Sequence, residues 1–169
     1  MPRLACLSSL DLSGNDVAKP ACWAERVKGE WPNLTHLDLS RNHLDTSFFG
    51  QLKNAKWPLL GSLNLHSALY QVSATAQAQH EALQGIVQCD WHHLQSLGLA
   101  SCGLNPEAMQ TICQAQWSNL RVVDVTANSM SGDAMRYLAG KSPTGPPSLW
   151  FKRLPVVGSS IPGFSELGI

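Results

Sequence analysis

The sequence predicts an open α/β solenoid: one inner sheet of five short parallel strands, helices along the outside, and the stack curved toward the sheet. Three observations carry that prediction. A hydrophobic phrase recurs five times, as LSSLDLSGNDV from Leu7, LTHLDLSRNHL from Leu34, LGSLNLHSALY from Leu60, LQSLGLASCGL from Leu94 and LRVVDVTANSM from Leu120. Its fourth residue falls at Leu10, Leu37, Leu63, Leu97 and Val123, in steps of 27, 26, 34 and 26, a period that belongs to stacked units and not to a closed globule. Trp31, Trp57, Trp91 and Trp117 each stand three residues ahead of the last four copies.

Within each phrase the last two leucines of L-x-x-L-x-L alternate with polar residues, as a short half-buried strand requires. Stacked copies place those strands side by side, about 4.8 Å apart. Parallel neighbours need a connection of roughly a dozen residues or more, usually helical, and the intervals supply it. Asn105-Pro106-Glu107 opens one such helix, with Asn as N-cap, Pro in the first helical position and an acid in the first turn. Eight residues before each Trp stand Trp23, Phe49, Leu83 and Met109. Four or five before it stand Val27, Leu52, Ile86 with Val87, and Ile112 with Cys113. That spacing is the inner stripe of a helix. Each Trp is therefore expected to close the core between helix and strand, its indole N–H seeking an acceptor. Ligand stacking is the rival use, and the phase with the core argues against it.

The phrases fit L-x-x-L-x-L-x-x-(N/C)-x-L over roughly residues 4–140, and the chain resembles the leucine-rich repeat proteins. Cys102 at the Asn/Cys position and the 26-residue step resemble the cysteine-containing and ribonuclease-inhibitor-like subclasses, which implies an open horseshoe with helices outside. The Trp before each strand departs from that pattern. The resemblance also implies that Asn15, Asn42 and Asn128 form a ladder, bonding backbone groups left over where the chain leaves each strand. Ala68, at the same position in the third copy, cannot do so. The same copy carries eight extra residues within Leu69 to Gln77, either a tolerated surface loop or a binding element.

Residues 1–140 form the array. Met135 and Leu138 keep the helix positions of a fifth outer helix, but position 143, where another Trp would fall, is Pro. Residues 141–169 are rich in Pro, Gly and Ser without period, the composition of an irregular tail. Leu149, Trp150, Phe151, Leu154, Val156, Val157 and Phe164 make it apolar enough to fold back as a C-terminal cap, which a solenoid end needs. Met1 to Cys6 leads straight into the first strand, as expected for a fragment of a longer array or for an uncapped end open to self-association.

Lys plus Arg equals Asp plus Glu, 12 each, so bulk charge points neither to nucleic acid nor to a membrane surface. No apolar run approaches membrane-spanning length, and the start lacks a signal-peptide pattern. Cys6, Cys22, Cys89, Cys102 and Cys113 are odd in number and show no C-x-x-C spacing. Free thiols of a cytoplasmic protein are the expectation.

Strand alternation assigns three columns to the concave face. They read Ser9, His36, Ser62, Ser96, Val122; then Asp11, Asp38, Asn64, Gly98, Asp124; then Ser13, Ser40, His66, Ala100, Thr126. Asp11 and Asp38 on neighbouring strands are expected to raise each other's carboxyl pKa and to suit a basic partner. Aspartate there can equally serve only to keep the strand soluble. Candidate protein-binding residues are Asp11, His36, Asp38, Asn64, His66 and Asp124. His36, Asp38, Asn64 and His66 converge enough to raise a metal site, but side chains two apart on a strand diverge by nearly 7 Å, so no metal is expected. The chain has no G-x-S-x-G, phosphate loop or H-E-x-x-H, and no histidine set to orient a Ser-Asp pair. Neither catalytic residues nor a cofactor are expected.

The function expected is a non-enzymatic protein–protein interaction scaffold, using the concave face and the third-repeat insertion, with protein partners and neither nucleic acid nor membrane. Two alternatives stay open. The chain can be the substrate-recognition arm of a larger enzyme such as a ubiquitin ligase, or a structural spacer or oligomer element.

Overall fold

Each copy of the phrase forms a three-residue strand, and the strands line up in chain order in one parallel sheet. The computed structural model describes residues 6–15, 31–69, 75–112, 115 and 117–128. Its elements are β1 (Ser9–Asp11), β2 (His36–Asp38), α1 (Thr46–Leu52), β3 (Ser62–Asn64), α2 (Ala76–Val87), β4 (Ser96–Gly98), α3 (Pro106–Ile112) and β5 (Val122–Asp124). The register pairs Leu10, Leu37, Leu63, Leu97 and Val123 across the sheet. The repeat read from the leucines is thus the spatial repeat.

The ladder runs on past the strands into a corner that every turn copies. The N–H groups of Leu12, Leu39, Leu65 and Leu99 donate to the carbonyls of Asp38, Asn64, Gly98 and Asp124 at 2.7–2.9 Å. Two residues on, those of Gly14, Arg41, Ser67 and Ser101 donate to Ser40, His66, Ala100 and Thr126. The residue that makes this second bond, with Ala127 in the last copy, is left-handed: φ is 65° at Gly14 and 52–55° at Arg41, Ser67, Ser101 and Ala127. A left-handed non-glycine costs about 1–2 kcal/mol, and four of the five corners carry one. At Arg41, Ser67 and Ser101 a bond to the adjacent turn holds it there.

Past the corner the amide ladder forms as the family resemblance implied, at Asn42 and Asn128. Asn42 Nδ2 donates to Leu12, Leu39 and Ser40 carbonyls, and its Oδ1 accepts Asn15 N–H. Asn128 Nδ2 donates to Leu99, Val125 and Thr126, and its Oδ1 accepts the N–H groups of Cys102 and Leu104. Cys102 substitutes with its thiol, which donates to Leu65 and Ala100 carbonyls. Asn15 heads the ladder and turns its amide back onto Ser13.

The leucines face the helices and are sealed there. Leu34, Leu37, Leu39, Leu60, Leu63, Leu65, Leu94, Leu97 and Leu99 are at most 2% exposed, as are Phe49, Leu52 and Leu83 of the helix stripe. Ile86 joins them, Ile112 is buried at 6% exposure, and Val87 stays half-buried. Asp45, Thr75 and Asn105 cap α1, α2 and α3, accepting the N–H groups of Phe48, Ala78 and Ala108. The helices pack in series, α1 on α2 and α2 on α3. At Gly85 of α2 a Cβ would stand 2.3 Å from the Phe49 carbonyl oxygen, so this helix contact requires glycine. Gln79, 3% exposed, fastens α2 to the next turn by donating to Gly103 and accepting from the Asn105 N–H.

Trp31, Trp57 and Trp91 close the core from its strand-entry side and stack on one another. Ring centroids are 5.3 and 6.2 Å apart, with planes 6° and 8° from parallel. The expectation that each indole N–H finds an acceptor fails for these three, whose Nε1 atoms are buried without a protein partner. Trp117, half-buried, does donate to the Cys89 carbonyl at 3.4 Å. Stacking orients the rings. An unmade bond costs about 1–3 kcal/mol, which ring burial at about 1.5–3 and stacking at about 0.5–1.5 kcal/mol together offset.

Of the third-copy insertion, residues 70–74 lie outside the described residues, and its two ends belong to regular structure. Leu69 is sealed in the core, and Ala76 with Gln77 forms the first turn of α2, which has 12 residues against 7 in α1. Trp23, Val27, Cys22, Cys113, the Met109 side chain, Met135, Leu138 and the 141–169 tail lie outside the described residues, as does the lead-in before Cys6.

Candidate functional site

The register fixes the concave face. Ser9, His36, Ser62, Ser96 and Val122 form its first row, and Asp11, Asp38, Asn64, Gly98 and Asp124 its second. A third row, Ser13, Ser40, His66, Ala100 and Thr126, lies just past the strands, where the chain bends into the corner. Here Ser40 and Ala100 are buried.

The second row is committed to the fold. Asp11, Asp38, Asn64 and Asp124 each accept, through Oδ1, the N–H of the residue two further on, at 2.8, 2.8, 3.1 and 3.0 Å. Each side chain therefore braces the backbone of its own corner, an Asx turn repeated along the sheet. Asp124 Oδ1 also accepts the Thr126 hydroxyl at 2.8 Å. Asn64 bridges to the neighbouring strand, with Nδ2 donating to Asp38 Oδ2 at 2.8 Å. Both carboxylate oxygens of Asp38 are thereby engaged. Gly98 leaves a gap in the row, and Asn64 leans over it, since a Cβ there would lie 2.7 Å from Asn64 Oδ1.

At Asp11 these bonds overturn the expected upward pKa shift. Asp11 does pair with Asp38 across β1 and β2. Its carboxyl is nevertheless lowered below the usual 3.8, first by the Ser13 backbone N–H and then by the Ser13 side chain. Hydrogen bonds to the charged form favour it and outweigh the small opposing effect of burial.

The first row is mostly solvent-facing, and its members point away from the core without bracing a corner. His36 is exposed. Its Nδ1 lies 2.8 Å from Thr35 Oγ1, which is also 2.8 Å from the Ser8 carbonyl, so the ring is tied to the preceding turn. Val122, 39% exposed, ends the row with an apolar side chain.

The six residues named from sequence all lie on this face but do not make one cluster. His36 opens the first row opposite Ser62, whereas His66 follows Asn64 in the third row, four residues along the sheet and roughly 13 Å away. Among the described residues no group of three His, Cys, Asp or Glu side chains is placed to hold a metal ion, and no helix is long and apolar enough to cross a membrane. Sequence reasoning missed the bracing partners Ser13, Ser40 and Thr126, although Asp-x-Ser and Asp-x-Thr in three of the copies is the pattern of such a turn. Thr35 carried no comparable signal.

Comparison with known families agrees with this architecture. One family model, described as a leucine rich repeat, matches residues 33–55. A second, also described as a leucine rich repeat, matches residues 92–113. The first stretch contains β2 and α1, the second β4 and α3. No curated protein matches the chain.

Proposed function

We propose that this chain, which is a leucine-rich repeat protein, works by holding a protein partner against its concave sheet, without chemistry of its own. Repeats of this family generally mediate protein–protein interaction. One observation carries the finer reading: the face divides into a row that braces the backbone and a row that does not. Ser9, His36, Ser62, Ser96 and Val122 stand on a rigid ladder and can contact a partner without releasing any corner bond. Asp11 and Asp124 add negative charge behind them, and a partner with basic groups suits that charge. The insertion is secondary to the rows, since its ends belong to the core and to α2. Free thiols at Cys6, Cys89 and Cys102 suit a reducing, cytoplasmic setting.

The test changes the first row alone. Ser62→Arg/Ser96→Arg adds bulk and charge at the middle of the face while leaving core and corners intact. Partners captured by the wild-type chain and identified by mass spectrometry are then titrated against both forms. At least a tenfold rise in Kd, about 1.4 kcal/mol, is expected for the variant, with circular dichroism unchanged. Equal affinity for both forms sinks the proposal. Asp38→Lys is the poorer probe, because it also releases the Ser40 N–H and Asn64.

A further inference from the structure

No further inference is drawn: the strongest candidate, the core-facing side of β1, where Leu7, Leu10 and Leu12 pack on the core but are only partly buried while Leu34, Leu37 and Leu39 of the next turn are sealed, is a partly covered apolar face, and nothing among the described residues shows what completes its cover.

Discussion

The corner after β2 and the corner after β3 follow the same backbone path with different side chains. Both carry a left-handed residue, Arg41 at φ 55° and Ser67 at φ 52°, and both send its N–H to the next turn. Asn42 then fills the first corner with an amide that makes three donor bonds and accepts a fourth. The second corner holds Ala68, fully sealed. Its substitute is visible two residues past the ladder position of the preceding turn. Leu104 N–H, after Cys102, donates to the Asn128 side-chain oxygen at 3.0 Å, whereas Leu44 N–H, after Asn42, donates to the Ala68 backbone carbonyl, also at 3.0 Å. The bend is therefore set by the ladder and the left-handed residue, and the amide satisfies a bend that already exists.

The largest effect should come from Asn42→Ala. It removes the side-chain donor to the Leu12 and Leu39 carbonyls and the acceptor for Asn15 N–H, and leaves the Ser40 carbonyl with the Gly14 N–H alone, so a loss of about 3 kcal/mol is expected. Denaturant midpoints measure it. A loss under about 1 kcal/mol would mean that the two corners are energetically alike and the amide is incidental.

The reverse change should not repair the other corner. Ala68→Asn is expected to destabilise by about 1–2 kcal/mol, because the methyl group is sealed and added atoms must overpack. A gain in melting temperature would show instead that the third corner is an asparagine corner with its side chain deleted. Smaller shifts test what the two share. Arg41→Gly and Ser67→Gly should each stabilise by about 0.5–1 kcal/mol, relief of the left-handed strain outweighing the entropy glycine adds to the unfolded chain. Opposite signs at the two positions would break the claim of one common path.

The fourth corner, built on Cys102, gives the smallest signal. Burial raises its thiol to about 11 and that of Cys89 to about 12, from an ordinary 9.0. Both stay protonated at neutral pH, so native protein treated with iodoacetamide should be labelled at exposed Cys6 and spared at these two. Since the folded values lie above the unfolded one, their contribution to stability is complete below pH 9 and falls as pH rises toward 11 and 12. Rapid native labelling of Cys102 would show that this corner opens far more readily than its hydrogen bonds allow.

The parts of this architecture that repeat through side-chain type were legible in the sequence. Leucines at fixed phase specify the strands, their order and their register, because only one stacking buries all of them. Asn105 announced its helix because the residues after it fit the first turn. Backbone-borne features were not legible. Among the residues that follow the third row, Gly14 is the one glycine, and Arg41, Ser67, Ser101 and Ala127 take the left-handed conformation with no compositional mark, the first three held by bonds to a neighbouring turn. The aspartates were read as free charges because their Asx bonds join a residue to its own chain. The core-closing place of the indoles was legible, but the unpaired N–H of Trp31, Trp57 and Trp91 was not, because stacking between turns, which no single copy encodes, sets their orientation.

The split between a bracing row and an idle row has a practical consequence. Ser9, His36, Ser62, Ser96 and Val122 are spaced by the sheet at roughly 4.8 Å, like teeth on a comb, and rewriting them leaves the hydrogen-bonded corners alone. A combinatorial library confined to those five codons should keep most clones folded while varying what they grip. One that also scrambled the neighbouring aspartates would spend much of its diversity on unfolded chains.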